Sequence, residues 1–486
     1  MPRRYGMLLS ELTKGIEHEL FGKDVEINKI EYDSRKVEKG DLFSCVVGTF
    51  RDGHVYAQSA VERGAAALLV EKRLPIEITQ IVVSDTRKAM AMMAANYYGH
   101  PERELKLVGV TGTNGKTSTT YMIKAIAEES GIKTGIIGTI HNMIGDRSVH
   151  ADRTTPESVD LFKLLRMMCD EGVTLAIMEV SSHSLDQRRV YGLEFDTSVF
   201  TNLTQDHLDY HKTIENYFAA KKKLFYHTRN AVINVDDMYG ERIVEGTQCS
   251  VSTFAIGKEA DVMASEIEFT TDSVSFFVKT PKWAHRVYVP IPGLFTVFNA
   301  IGSICAAQAL GFSMEATVNG LANMHRVEGR LEPLPVNGHD FSVYLDFAHT
   351  PDAVQNVLTA VQSFAKGRIV TLFGCGGDRD KAKRPIMGEI AGRFSDFLIV
   401  SSDNPRTEDP MAIIENVLEG VKRSGCPYVI IENRREAIRY ALEHAKSNDC
   451  IVLAGKGHEN YQEINGVKHH FDEKEVVAEL LSEIFA

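Results

Sequence analysis

Leu107-Val-Gly-Val-Thr-Gly-Thr-Asn-Gly-Lys-Thr117 runs from an apolar, β-branched strand through a glycine-rich loop into a helical pattern from Ser118. In such a loop the successive backbone N–H groups of Gly112, Thr113, Asn114 and Gly115 cradle phosphate oxygens, and the helix N-terminus at Ser118 adds positive potential. Lys116 is placed to reach the β- and γ-phosphates of a nucleotide, and Thr117 to offer its hydroxyl to Mg2+. One spacing departs from the general pattern: Gly109 lies six residues before Gly115, where that pattern has a glycine five before. A tight turn that merely needs glycines is the competing reading, and the complete Gly-Lys-Thr ending speaks against it.

Outward from this loop, the chain divides into three α/β stretches. Residues 1–100 alternate short β-rich runs with helical patterns and close at Gly99-His100-Pro101. Residues 101–329 carry the loop and a predicted parallel sheet. Residues 330–486 form a third series, with strands expected at 343–346, 369–373, 397–401, 428–431 and 450–454. A length of 486 residues requires more than one hydrophobic core. The net charge of −12 opposes a general affinity for nucleic acid or an anionic membrane, so cations serving anionic substrates must be concentrated locally. Neither a signal-peptide pattern, despite Arg3 and Arg4, nor a run of about 18 apolar residues is present, which predicts a cytoplasmic protein. The seven cysteines form no CxxC pair and read as incidental thiols, Cys375 in its glycine-rich loop included.

Acidic and imidazole groups gather downstream of the loop. Glu179 ends the apolar run from Leu175, at the C-terminal edge where α/β sheets place ligands, although a solvated strand end would read the same. Thr201 to His211 holds Asp206, His207, Asp209 and His211, a density that suits metal binding or a surface turn. In the helical pattern of residues 217–225, Lys221 is surrounded by Tyr217, Phe218, Leu224 and Phe225. That surrounding allows a lysine stem simply packed among aromatics.

Gly112-Thr-Asn-Gly-Lys-Thr117 resembles the variant P-loop of the Mur ligases and their relatives, the folylpolyglutamate and cyanophycin synthetases. The resemblance implies that Glu179 and His207 bind Mg2+ and that Lys221 carries a carbamate, an extra oxygen ligand. It implies adenine contact by Asn299, with Thr296 where the family has a first Asn. Arg330, Asp346 and His349 would be brought onto ATP by the third domain, with Phe347 in place of the usual Tyr. Glu31-Tyr-Asp-Ser-Arg35 and Gly48-Thr-Phe-Arg-Asp-Gly-His54 resemble a UDP-binding domain with Ser34 on the substrate. Thr154 and Thr155 before Pro156 resemble the muramoyl-peptide loop, completed by Ser181, Gln187 and Arg189. Catalysis would then rest on Lys116, Glu179, His207 and Lys221.

Asp403-Asn404-Pro405-Arg406 resembles the tetrad of diaminopimelate-adding members, with Arg379, Gly455 and Glu459 as further contacts to the amino acid. A guanidinium fork has an obvious partner in the second carboxylate of meso-diaminopimelate, which lysine lacks. The implied enzyme is a monomeric, ATP- and Mg2+-dependent ligase. It would phosphorylate a carboxylate of UDP-N-acetylmuramoyl-L-alanyl-D-glutamate to an acyl phosphate that the amino acid then attacks. Two other readings stay open, an L-lysine-adding ligase of the same family and a P-loop module without ligase activity. The fold expected is three α/β domains: UDP-binding, P-loop ATPase, and Rossmann-like.

Overall fold

The strand ahead of the P-loop, Lys106–Thr111, lies between Leu175–Glu179 and Phe195–Phe200 in the middle of an 11-stranded sheet. The computed structural model describes residues 6–48, 51–336 and 338–485. Arg3, Arg4, Thr49 and Phe50, on which parts of the sequence reading fall, lie outside the described residues. From Thr134–Ile137 across to Val262–Phe269 the strands pair in parallel. The parallel sheet expected from the sequence is in fact mixed. An antiparallel hairpin, Asn142–Ile144 with Arg147–Val149, closes one edge, and Val274–Lys279 and Ala284–Val289 extend the other. These strands are short or partly exposed, so their residues carry little of the apolar run that marks a buried parallel strand.

The order of this sheet places the chain's reversal beside Lys106–Thr111, and ligands in open α/β sheets bind outside the carboxyl ends of strands at such a point. The P-loop, Glu179 and the Thr201 to His211 segment all leave those ends. The helix after the loop spans Lys116–Glu129, two residues earlier than the sequence pattern suggested, because Gly115 in the left-handed region starts it. Residues 217–225 are divided between the helix Ile214–Lys222, capped by Thr213, and the 3-10 turn Lys223–His227.

A five-stranded sheet precedes this unit, four of its strands parallel and Glu19–Phe21 antiparallel at its edge. The helix Thr86–Tyr98, capped by Asp85 and ended by Gly99, joins the two sheets through one shared apolar core that also takes in the helix Ser158–Asp170. In the C-terminal third, the six-stranded sheet runs parallel from Ser342–Asp346 to Tyr428–Ile430, with Glu332–Leu334 antiparallel at its edge. Helices Pro351–Gln362, Lys383–Arg393 and Pro410–Ser424 cover one face, and Arg434–Glu443 and Glu473–Phe485 the other. A hairpin that the sequence reading did not foresee, Tyr461–Ile464 with Val467–His470, follows the last parallel strand. No helix among the described residues is long and apolar enough to cross a membrane.

Candidate functional site

Lys116 folds back over the loop that carries it, donating hydrogen bonds to the carbonyls of Gly112 (2.9 Å) and Thr113 (2.8 Å). Desolvation lowers its pKa, against the opposing charges of Glu179 and Asp206. The glycine spacing also has a structural reason. Gly109 is part of the strand, where a Cβ would stand 3.0 Å from the Phe195 ring, and it takes no part in the loop. Gly112 opens the loop: a Cβ there would meet Thr201 Oγ1 at 1.9 Å, so only glycine lets the two motifs touch.

Glu179 is no solvated strand end. It is 1% exposed, and its Oε1 accepts the Thr117 hydroxyl at 3.0 Å and the Thr139 N–H at 2.9 Å. His207 sits at a positive φ of 54°, a strained position typical of functional sites, with Asp206 accepting its backbone N–H at 2.9 Å and lying 3.3 Å from its Nε2. Desolvation in the cavity, with the nearby charges of His183, Lys221 and Lys116, lowers the pKa of His207, whose side chain is 37% exposed, and so favours the neutral imidazole that can ligate. Lys221 is 1% exposed and donates to Gly112 O at 2.7 Å, with its Nζ 4.5 Å over the Tyr217 ring.

One cavity of about 650 Å3 brings together most of the residues singled out from the sequence. Thr113 to Ser118, Thr154, Glu179, Ser181, His207, Lys221 and Asn299 line it from the central unit. Arg330, Asp346, His349, Arg379, Asp403, Asn404, Arg406, Gly455 and Glu459 line it from the C-terminal unit. Arg330 donates to Thr117 Oγ1 at 3.0 Å and lies 5.0 Å over the Phe347 ring, so the phenylalanine serves as a platform that needs no hydroxyl. Asp346 accepts the Leu331 N–H at 2.7 Å, and burial pushes its carboxyl up to about 6. Burial likewise takes His349 down to about 4. The third unit is therefore already closed on the P-loop, also through Asn114 to Asp352 at 2.8 Å.

Several of the expected substrate residues stand back from the cavity. Thr155 is buried beneath it and donates to Glu179 O. Arg189 reaches Thr155 O, Gln187 Oε1 at 2.6 Å and Glu157 at 3.1 Å, so Arg189 and Gln187 act here as struts of the Thr154–Thr155 loop. Ser34 opens a 3-10 turn in the N-terminal unit, and neither it, Pro405 nor Gly112 belongs to the cavity lining. Cys375 is buried at the cavity wall and its thiol is pushed up to about 12 by that burial, which leaves it inert.

Residues unforeseen in the sequence complete the site. Thr139 bonds both oxygens of Glu179. Lys383 pairs with Asp206 across the two units at 3.2 Å, both side chains buried. Phe254, Phe295 and Phe298 wall the end of the cavity near Asn299. Arg379, Arg406, Asp403 and Glu459 line it too; Asp403 Oδ2 is buried without a hydrogen-bond partner, 3.9 Å from the buried Arg434 guanidinium, and Glu459 accepts from Asn404 at 2.8 Å and lies 3.3 Å from Lys456 Nζ. Cations and carboxylates so arranged suit a zwitterion. Only Asp206, beside His207, carried a signal of its own in the sequence; the others depend on neighbours far along the chain.

Among the described residues no three His, Cys, Asp or Glu side chains gather to hold a metal alone. The Thr117 hydroxyl and the Glu179 carboxylate, 3.0 Å apart at the P-loop, are hard oxygen donors of the kind Mg2+ prefers. As an ammonium Lys221 could only repel a cation.

The pattern of the Mur ligase middle domain matches residues 110–307, that of the Mur ligase glutamate ligase domain residues 329–457, and that of the Mur ligase family catalytic domain residues 26–98. The chain belongs to the Mur ligase family. This Mur ligase is 47% identical over 485 residues to the UDP-N-acetylmuramoyl-L-alanyl-D-glutamate--2,6-diaminopimelate ligase of Clostridium botulinum, covering 98% of this chain and 100% of the relative. It is also 47% identical to the ligase 1 of that name from Clostridium acetobutylicum, over 99% of this chain and 100% of the relative. A solved UDP-N-acetylmuramoyl-L-alanyl-D-glutamate--2,6-diaminopimelate ligase is similar in structure, with a TM-score of 0.68 and 31% identity, over 99% of this chain and 100% of its own. As a Mur ligase it is an ATP-dependent enzyme.

Proposed function

We propose that this Mur ligase joins meso-diaminopimelate to UDP-N-acetylmuramoyl-L-alanyl-D-glutamate at the expense of ATP, a step of peptidoglycan synthesis. The observation that carries the reading is one cavity lined by the P-loop together with the guanidiniums of Arg379 and Arg406 and the carboxylates of Asp403 and Glu459. The N-terminal unit would hold the UDP end through Ser34, the central unit ATP, and the C-terminal unit the amino acid. The enzyme would act as a monomer in the cytoplasm, where ATP and nucleotide-linked precursors are found.

The chemistry must bring a substrate carboxylate onto the γ-phosphorus, anion against anion. Lys116 and Arg330, both at the P-loop, offset that repulsion, and Asn299 with the phenylalanine wall receives the base. Mg2+, held by Thr117 and Glu179 with His207 and a carbamylated Lys221, would neutralise phosphate charge. The carboxylate takes the phosphoryl group and ADP leaves. The amine nitrogen then bonds the carbonyl carbon, phosphate departs and the nitrogen loses a proton. Arg379 and Arg406 would hold carboxylates of the amino acid, and Asp403 and Glu459 its ammonium.

Phosphate release measured with each substrate omitted in turn tests this. Release that needs ATP, the UDP-muramoyl dipeptide and diaminopimelate together is expected. Release without an amino acid would leave a nucleotide-hydrolysing module, and equal efficiency with L-lysine would remove the diaminopimelate assignment.

A further inference from the structure

We propose that Glu463, on the hairpin Tyr461–Ile464 with Val467–His470, is a positioning residue that aims Arg406 at a carboxylate of the incoming amino acid. The idea rests on the amino-acid site described above and adds to it a support that lies outside the Asp403 to Arg406 tetrad.

Arg406 has a φ of 52°, a left-handed conformation that a bulky residue keeps only where its surroundings over-determine it. The hairpin supplies those surroundings. The Arg406 N–H donates to Glu463 O at 3.0 Å, and its carbonyl accepts from Asn465 N at 2.7 Å, so the residue is bridged to Ile464 like a short extra strand. The same hairpin grips the rest of the tetrad: Glu463 N–H donates to Asn404 Oδ1 at 2.9 Å and Gln462 Nε2 to Asp403 O at 2.7 Å.

The side chain is held as firmly as the backbone. Arg406 Nε lies 3.2 Å from Glu463 Oε2, and Nη1 donates to Gly377 O at 2.7 Å. Gly376 makes room for this, since a Cβ there would stand 2.8 Å from Nη1. A guanidinium is planar, so anchoring Nε and Nη1 fixes the direction of Nη2, which has no hydrogen-bond partner among the described residues. Nη2 is the donor left for a ligand in the cavity that Arg406 lines. Glu463 also keeps the guanidinium paired when no amino acid is bound. An amino acid lacking the matching carboxylate therefore forfeits one charge-assisted bond, and no bare buried cation results.

Steady-state kinetics on the full chain tests the proposal. Glu463→Ala is expected to raise the KM of diaminopimelate by roughly tenfold, as for loss of one hydrogen bond to a charged group, with kcat and the KM of ATP and of the UDP-muramoyl dipeptide unchanged. Glu463→Gln, which keeps an acceptor for Nε, should recover most of the loss. Adding Glu463→Ala to Arg406→Ala should cost nothing further, because the residue to be aimed is gone. An unchanged amino-acid KM, an equal loss in all three KM values, or additive effects in the double variant would overturn it. If wild-type enzyme turns over L-lysine in place of diaminopimelate, the substrate assignment falls, and the same variants run with lysine still decide whether Glu463 aims Arg406.

Discussion

Lys221 is enclosed so completely that desolvation, reinforced by the like charge of Lys116, pushes its pKa well below the ordinary lysine value. The neutral amine is the form that bonds carbon dioxide, losing one proton to give the carbamate. Native mass spectrometry is expected to show one added carbon dioxide on the active enzyme. Lys221→Ala should lose activity by roughly a hundredfold or more, as for removal of one charge-stabilising group, and regain part of it with short carboxylates. A bare ammonium beside bound Mg2+ would count against this. Lys116→Ala is expected to reduce turnover by about a thousandfold with an unchanged unfolding temperature, because the side chain bonds only its own loop. Near-normal turnover would remove Lys116 from the phosphate site. At this scale the sequence singled out Lys116 and Arg406 but did not reveal that the Arg406 guanidinium is already paired with Glu463.

The element that presents the P-loop, helix Lys116–Glu129, is set by a close backbone contact. A Cβ on Gly320 of helix Met314–Ala322 would meet Ile126 Cα at 2.6 Å and Ala125 O at 2.8 Å. Neither atom can rotate away. Gly320→Ala should therefore force the helices apart and cost about 1–3 kcal/mol, as overpacking does. Calorimetry should show a lower Tm, and the KM of ATP should rise as the loop moves with its helix. A Tm at or above wild type would show that the contact yields at no cost. The strand, loop and helix here were legible because all are written in contiguous residues. The edge hairpins and the hairpin at Tyr461–His470 were not, since half-exposed strands carry weak apolar patterns and are defined by pairing.

Across the whole molecule, the C-terminal unit meets the central one through the packing of Phe295 and a few polar contacts, of which the Asp206–Lys383 pair is the buried one. Breaking a buried pair strands the remaining charge, so Lys383→Met should favour the open arrangement. X-ray scattering is expected to give a larger radius of gyration than wild type, and kcat should fall by about tenfold or more. An unchanged radius together with unchanged kcat would show that the pair does not hold the units. Acid should loosen the free enzyme for a related reason. Burial lowers His349 to about 4 and His458 to about 3 from an ordinary 6.5, so below pH 6.5 the unfolded chain binds more protons and stability falls with pH. Asp346, raised to about 6, works the other way but is one group against two larger shifts. Tm should decline from pH 7 to pH 5, and a flat profile would contradict the burial of these imidazoles.

By itself the sequence determined the motifs whose chemistry is local: a phosphate nest needs consecutive N–H groups, and the Asp403 to Arg406 turn needs four adjacent residues. It also determined the alternation that makes each third α/β. Only the tertiary structure decided which of these groups share a cavity, which of them brace the Thr154–Thr155 loop, as Arg189 and Gln187 do, and which charges come already paired. Asp206 and Lys383 are 177 residues apart in the chain and 3.2 Å apart in space. Coulombic and hydrogen-bond partnerships depend on distance through space, a quantity that folding sets and that no local pattern records.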